Sequence, residues 1–352
     1  MGASNGRSAG APGGRRGGLG VASGNGGAGS ARRAGGAAGG SAHRALVSAL
    51  TTIADDDRVA RAQEAVREAS AELRWHEALR RRWREARAEA AIRGAIASGA
   101  IEGALVSAPE LRERVAAGGL VRPLSGDPSL DAVAGIWRAG ARLAGFMADL
   151  RGQSRPAEPS PRSLLTSLHR DIAGPLAASG AIGLDEVAVP RTALPGGTPS
   201  SGGTGSAGEP EALGAAPREG GPGPAPQGQA LAERLDALLA IIAAPGVPAL
   251  VRAAVVHGEM IAMRPFTAGN AALGRLLVRH LITRDGLEPT GVAVPDAYAR
   301  RAPGAYSDAA AAYARGDAEG VITWTVWQAE AILVGITEGA ELCRAIQAGR
   351  AE

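Results

Sequence analysis

The sequence predicts an all-α fold, and three observations carry that prediction. From residue 44 onward, apolar residues recur mostly at three- and four-residue spacing, the period of a helix face. Ala, Leu, Glu and Arg dominate those stretches, and all four are strong helix formers. Strand-length runs do not alternate with helical ones, which argues against a doubly wound parallel sheet.

Two segments are expected to stay disordered. Residues 1–43 form an Arg/Gly/Ala-rich tail with almost no large apolar side chains, so burial cannot offset the entropy of ordering them. Residues 196–229 are Gly- and Pro-rich and read the same way. About 270 residues remain, enough for a full core.

The elements follow in order. Residues 44–152 make an N-terminal helical region. Its pattern is continuous over 58–104, which places Trp75 and Trp83, eight apart, on one face. Pro109 opens a new helix at "PELRERVAAGG", which Gly118 and Gly119 end. Another helix is expected over 128–152, then a Pro-rich linker and a helix carrying "SLLTSLHRDIAG". Residues 184–194, "LDEVAVPRTAL", read as the one extended stretch, with room for at most a short β-hairpin. Helices are then expected at 229–244, 248–262, from the loop after Met263 to about 284, and at 295–315 and 317–347.

Charge and cysteine content narrow the setting. All 38 basic residues are Arg, which with the Ala and Gly excess points to a GC-rich, bacterial type of genome. Arg in place of Lys is therefore weak evidence of anion recognition. The tail holds five arginines and no acids, leaving 33 of the 38 against 35 acids elsewhere. Such a tail could touch nucleic acid by counterion release, although a solvated tail explains it as well. A single cysteine, Cys343, permits no intrachain disulfide. No membrane span or export signal is read, and a cytoplasmic protein is expected.

The most specific stretch is "RPFTAGNAALGRLLVR", residues 264–279. A tight turn runs straight into an apolar helix, and a helix start presents unpaired N–H groups to an anion. Gly269 and Asn270 tolerate positive φ, and Arg275 lies one turn inside the helix. Leu273, Leu276, Leu277 and Leu281 are expected to face the core. On the residues alone, an ordinary loop followed by a core helix is the favoured reading.

The stretch resembles the signature loop of the Fic (Fido) family. Pro265, Phe266, Gly269, Asn270 and Arg275 match it. The preceding helix carries His257, and "AYSDAAAAYARGDAEGVITW" downstream is also similar to the family. The resemblance implies a Fic-like helical domain over 160–347, interrupted by the insertion. It implies an activity too: AMP transfer from ATP with Mg²⁺ to a hydroxyl on a target protein, which the sequence does not name. Phe266, Gly269, Asn270, Ala271 and Arg275 would bind the nucleotide or another anion. "SGAIEG", residues 98–103, resembles the family's inhibitory motif, which implies an inhibitory helix over about 80–104 and regulatory roles for Ser98, Glu102 and Gly103. Glu102 would pair with Arg275.

The departures fall on the chemistry. The catalytic histidine's position is Arg264, which stays protonated and is no general base. The metal-binding acid is Ala268, and a methyl ligates no hard cation. Ala271 and Ala272 stand where the family has Gly and Arg. His257 is about 10 Å from Arg264 along a helix, too far to replace it. No protein metal site is expected. The leading expectation is a catalytically impaired Fido-domain protein that still holds a nucleotide or anion. The alternatives are an active transferase with altered chemistry, whose loop stabilises developing negative charge with Arg264 at the catalytic position and no histidine, and a non-enzymatic helical interaction module with a basic tail.

Overall fold

A computed structural model describes residues 44–117, 124–152, 156–193 and 224–350. Among them are thirteen α-helices and no strand. In chain order the first seven are α1 (Arg44–Ala54), α2 (Asp57–Arg74), α3 (Glu77–Arg81), α4 (Trp83–Ile101), α5 (Ala108–Ala116), α6 (Pro128–Ala144) and α7 (Pro161–Ala178). After two 3₁₀ turns come α8 (Gly228–Ala243), α9 (Ala249–Met263), α10 (Asn270–Arg284), α11 (Asp296–Arg301), α12 (Pro303–Ala314) and α13 (Ala318–Gln347).

Local chemistry sets several helix starts. Asp56, Asp127, Ser160 and Asp317 each accept a first-turn N–H at the N-cap. Ser107 and Glu110 form a reciprocal capping box at α5. Pro128, Pro161 and Pro303 open α6, α7 and α12, where a missing N–H costs nothing.

Helices α9 and α10 pack along one another, joined by the signature loop. The long α13 packs against α2, α9, α11 and α12, while α4 lies on α6 and α11. Trp324 of α13 is fully buried, stacks on Trp327 and donates its indole N–H to the Ala254 carbonyl at 2.6 Å. Leu273, Leu276, Leu277 and Leu281 are all buried, as their spacing predicts.

Four expectations need correction. The pattern over 58–104 is three helices, broken at Trp75–His76 and at Arg82. Trp75 therefore ends α2 with 78% of its surface exposed, while Trp83 is buried, and they share no face. The helix expected over 295–315 breaks at Ala302, ahead of Pro303. The one expected from 128 stops at Ala144, well short of residue 152.

The stretch 184–193 forms 3₁₀ turns at Leu184–Glu186 and Arg191–Ala193, and Leu194 lies outside the described residues. Its N–H groups bond to nearby turn carbonyls, to the Pro265 carbonyl and, from Ala188, to His169 Nδ1, so no ladder forms. Finally, by length and composition α13 is the one helix among those described that could cross a membrane. Of its apolar window, 61% is buried inside the fold, as expected of a core helix.

Gly94 lies in mid-α4. A methyl there would meet only Arg279 Nη1 at 3.8 Å and Asp296 Oδ2 at 3.9 Å, ordinary contact distances. Gly94→Ala is therefore expected to stabilise the fold by about 0.5–1 kcal/mol through lower unfolded-chain entropy. A fall in Tm on thermal unfolding would show that the space is needed.

Candidate anion-binding site

Helix α9 ends at Arg264, one of two non-glycine residues with positive φ among those described (φ 46°). Arg191 holds this end. Its Nε donates to the Arg264 carbonyl at 2.8 Å, and its Nη2 to those of Met263 at 3.1 Å and Pro226 at 3.2 Å. Its backbone N–H reaches the Pro265 carbonyl at 2.8 Å. A guanidinium thus satisfies the last carbonyls of α9, at the negative end of the helix dipole. Burial lowers the pKa of Arg264 from the usual arginine value, yet an arginine remains a cation.

The loop closes on itself through Asn270. Its amide oxygen accepts the Phe266 N–H at 2.9 Å, and its amide nitrogen donates to the Phe266 carbonyl at 2.9 Å. Gly269 sits at φ 72°, and a Cβ there would approach Ile172 to 2.9 Å, so glycine is needed for both conformation and space. These two residues turn the chain so that α10 begins at Asn270, with the orphan N–H groups of its first turn facing out of the loop.

Beneath the loop lies His169 of α7. Its ring stacks on Phe266, with centroids 3.9 Å apart and planes 11° apart. Nδ1 accepts the Ala188 N–H at 2.8 Å, so Nε2 carries the proton and donates to the Ala268 carbonyl at 3.1 Å. Burial pushes this imidazole down to about 4, partly opposed by the Ala268 carbonyl. His169 therefore clamps the loop to the 3₁₀ segment, with Thr267 Oγ1 donating to Glu186 at 2.8 Å as a second tie. Sequence reasoning missed this role, because His169 falls in the same apolar stripe as Leu165, Leu168 and Ile172 and reads there as a packed residue. Because the segment is clamped and not a hairpin, it offers no ready strand edge for a docking peptide.

Arg275 lies one turn into α10 and is only 5% exposed. Nη2 donates to Glu102 Oε1 at 2.5 Å and to the Ser98 carbonyl at 3.3 Å. Nε donates to Ser98 Oγ at 2.8 Å, and Nη1 to the Tyr306 hydroxyl at 3.4 Å. Burial alone would lower this guanidinium's pKa, but the negative charge of Glu102 leads a set of neighbours that leaves it raised. Residues 98 and 102 thus meet Arg275 across 177 and 173 positions of sequence. Gly103 has a separate job. At φ 87° it ends α4 in a Schellman motif, with the Ala104 N–H on the Gly99 carbonyl at 2.9 Å and its own on Ala100 at 3.2 Å. The glutamate that faces Arg275 is the C-cap of α4, one residue past its last helical residue.

The other histidines are structural. The Tyr306 hydroxyl donates to His257 Nε2 at 3.1 Å, and His257 Nδ1 donates to Gln328 at 2.8 Å. Burial pushes His257 down to about 3. His280 bonds Glu158 at 2.8 Å, far along α10 from the loop. His43 and the tail arginines lie outside the described residues.

A nucleotide's phosphates fit the loop in part, through the first-turn N–H groups of α10 and through Arg275 once Glu102 withdraws. A Mg²⁺ ion does not fit. Ala268 is buried with only a methyl to offer, and Ala272 is also buried. The acid beside the loop, Glu186, is engaged by Thr267 and by the Gly183 N–H at 2.6 Å. Among the described residues, no three His, Cys, Asp or Glu converge on a metal position.

The architecture is that of known Fic proteins. It is similar to the crystal structure of a Fic family protein from Desulfovibrio desulfuricans G20, with a TM-score of 0.54 and 18% identity, covering 80% of this chain and 74% of that one. It is also similar to Fic-1 from C. elegans, with a TM-score of 0.53 and 17% identity over 82% and 73% of the two chains. A Glu-to-Gly variant of Fic-1 gives 0.52 and 18%, over 82% and 72%. No family model matches the chain, and no curated protein matches it in sequence. At such identities the likeness establishes the fold, and the chain has the helical Fic fold.

Proposed function

We propose that this is an adenylyltransferase-like protein that has lost most or all AMP-transfer chemistry and keeps a braked pocket for a nucleotide or another polyanion. The observation that carries the reading is the 2.5 Å contact of Glu102 with the buried Arg275, formed by two segments that the sequence motifs paired independently. An enclosed arginine opposite a phosphate-shaped loop has a use for a removable carboxylate, which compensates it while no anion is bound. The replacements explain the lost chemistry. Arg264 accepts no proton from a hydroxyl, and Ala268 holds no metal. ATP would lie with its phosphates at the start of α10, and Arg264 would add positive charge at the mouth of the loop.

Calorimetry on the full chain tests this, with ATP titrated into the protein and its Glu102→Gly variant, with and without Mg²⁺. The expected result is weak binding by the parent, binding roughly 5- to 150-fold tighter in the variant as for a typical coupling between sites, and little response to Mg²⁺. If neither binds at millimolar ATP, the loop is inherited architecture. AMP transfer to any protein that disappears with Arg275 would instead favour an active enzyme with altered chemistry.

A further inference from the structure

The contacts of Arg275 are divided among its edges. Glu102 faces Nη2 from the C-cap of α4. The Nε edge faces a second carboxylate, with Asp296 Oδ1 3.4 Å away. Ser98 Oγ accepts from the same Nε at 2.8 Å and also hydrogen-bonds Asp296. Asp296 opens α11 and is 9% exposed.

Two further observations make Asp296 more than a neighbour. Arg279 follows Arg275 by four residues on α10, so two like charges share a helix face. Arg275, Arg279 and Asp296 line one cavity of about 10 Å³, roofed by Gly94 and Gly140. Arg279 is 6% exposed, spends Nη2 on the Gly291 carbonyl at 2.8 Å and leaves Nε without a hydrogen bond. Burial lowers this guanidinium's pKa from the usual arginine value, and the charges of Asp296 and Glu288 oppose the shift only in part.

The segment before α11 is also held. Arg87 donates to the Thr290 carbonyl at 2.7 Å, and Val294 N–H to the Gly335 carbonyl at 3.0 Å. Asp296 therefore has a fixed place, whereas Glu102 sits at a helix end.

We propose that Asp296 is a second, internal counter-ion of Arg275. It holds the Nε edge when Glu102 withdraws, and its charge limits how tightly the loop binds an anion. The proposal rests on the anion-pocket reading above. Loss of Glu102 then exposes one edge of a guanidinium that stays in place and is still half-compensated. Asp296 is a positioning residue, and it touches no ligand.

Asp296→Asn keeps the shape of the side chain and removes the charge that faces the Nε edge. In the full chain, Glu102→Gly/Asp296→Asn is expected to bind inorganic tripolyphosphate about tenfold more tightly than Glu102→Gly, with the gap shrinking as NaCl rises. Equal or weaker binding by the double variant overturns the proposal.

A second measurement does not need binding. The Arg275 Nε–H resonance, assigned by its absence in an Arg275 variant, should stay resolved and slowly exchanging in Glu102→Gly. It should shift in Asp296→Asn, where Glu102 remains to support folding. Loss of the signal in Glu102→Gly, or no change in Asp296→Asn, also overturns the proposal. If neither variant binds tripolyphosphate while the resonance behaves as expected, the pocket reading fails and the counter-ion role stands.

Discussion

Arg275→Met is expected to destabilise the folded protein by about 3–5 kcal/mol, the cost of leaving buried charge without its partner. Methionine roughly conserves the volume, so packing is largely kept and the loss is electrostatic. Two carboxylates, Glu102 and Asp296, would be left facing each other's charge without a cation between them. The Ser98 and Tyr306 hydroxyls would lose a charged donor as well. Urea unfolding reads the effect as a fall in midpoint with little change in slope. The decisive companion is Arg275→Met with Glu102→Gln and Asp296→Asn, which removes every charge of the cluster except that of Arg279. That variant should regain most of the loss, because a buried ion pair is weak net stabilisation when both partners are replaced. A loss below about 1 kcal/mol in Arg275→Met would mean that water reaches the site and screens it.

Some of this architecture was open to inspection in the primary structure and some was not. The starts of α5 and α6 were legible, the first from Pro109 and the second from the helical pattern beginning at residue 128, because those signals are local. The breaks at Trp75 and Arg82 were not, since the residues around them are good helix formers and only packing of α3 decides the turn. Val187 and Val189 read as strand for the same reason. Their extended tendency is real, but no second strand lies among the described residues to pair with, and the Val189 N–H bonds the Glu186 carbonyl while the Ala188 N–H bonds His169 instead.

The site divides in the same way. Glu102 and Arg275 could be paired from two motifs, each carried on a short stretch. Asp296 and His169 could not, because they reach the site from 21 and 106 residues away from Arg275 in sequence with no motif to mark them. The same logic explains why shape reveals the Fic fold while sequence comparison is silent. Ala and Leu exchange freely across helix interfaces of conserved shape. The positions that would otherwise give the loop away are those changed to Arg264, Ala268, Ala271 and Ala272. What persists is what the loop needs to exist: Phe266 on its platform, Gly269 for the turn and Asn270 for the closing amide pair.

The platform makes a second strong prediction: acid should unfold this protein early. His169 has its folded pKa held at about 4 and His257 at about 3, each chiefly by burial. Both titrate near 6.5 when unfolded. A depressed folded value means that the unfolded state binds more protons below pH 6.5, so stability rises with pH. The contribution is complete above pH 6.5. It is lost as pH falls from there to about 4 for His169 and to about 3 for His257. At 1.36 kcal/mol per unit, the two account for roughly 3 and 5 kcal/mol, comparable with the whole stability of an ordinary domain.

Asp296 and Glu288 oppose the slope, because burial raises both carboxyls above their usual values, partly offset by the arginines beside them. Differences between variants remove that background. His169→Gln keeps an N–H for the Ala268 carbonyl and cannot protonate, so its stability should fall less steeply by about 1.4 kcal/mol per pH unit between pH 6.5 and 4. His257→Gln should do the same, with the window extending to pH 3. Urea midpoints at half-unit pH steps measure both. Slopes identical to the parent would mean that these rings reach protons without unfolding, and that the clamp under Phe266 opens on its own.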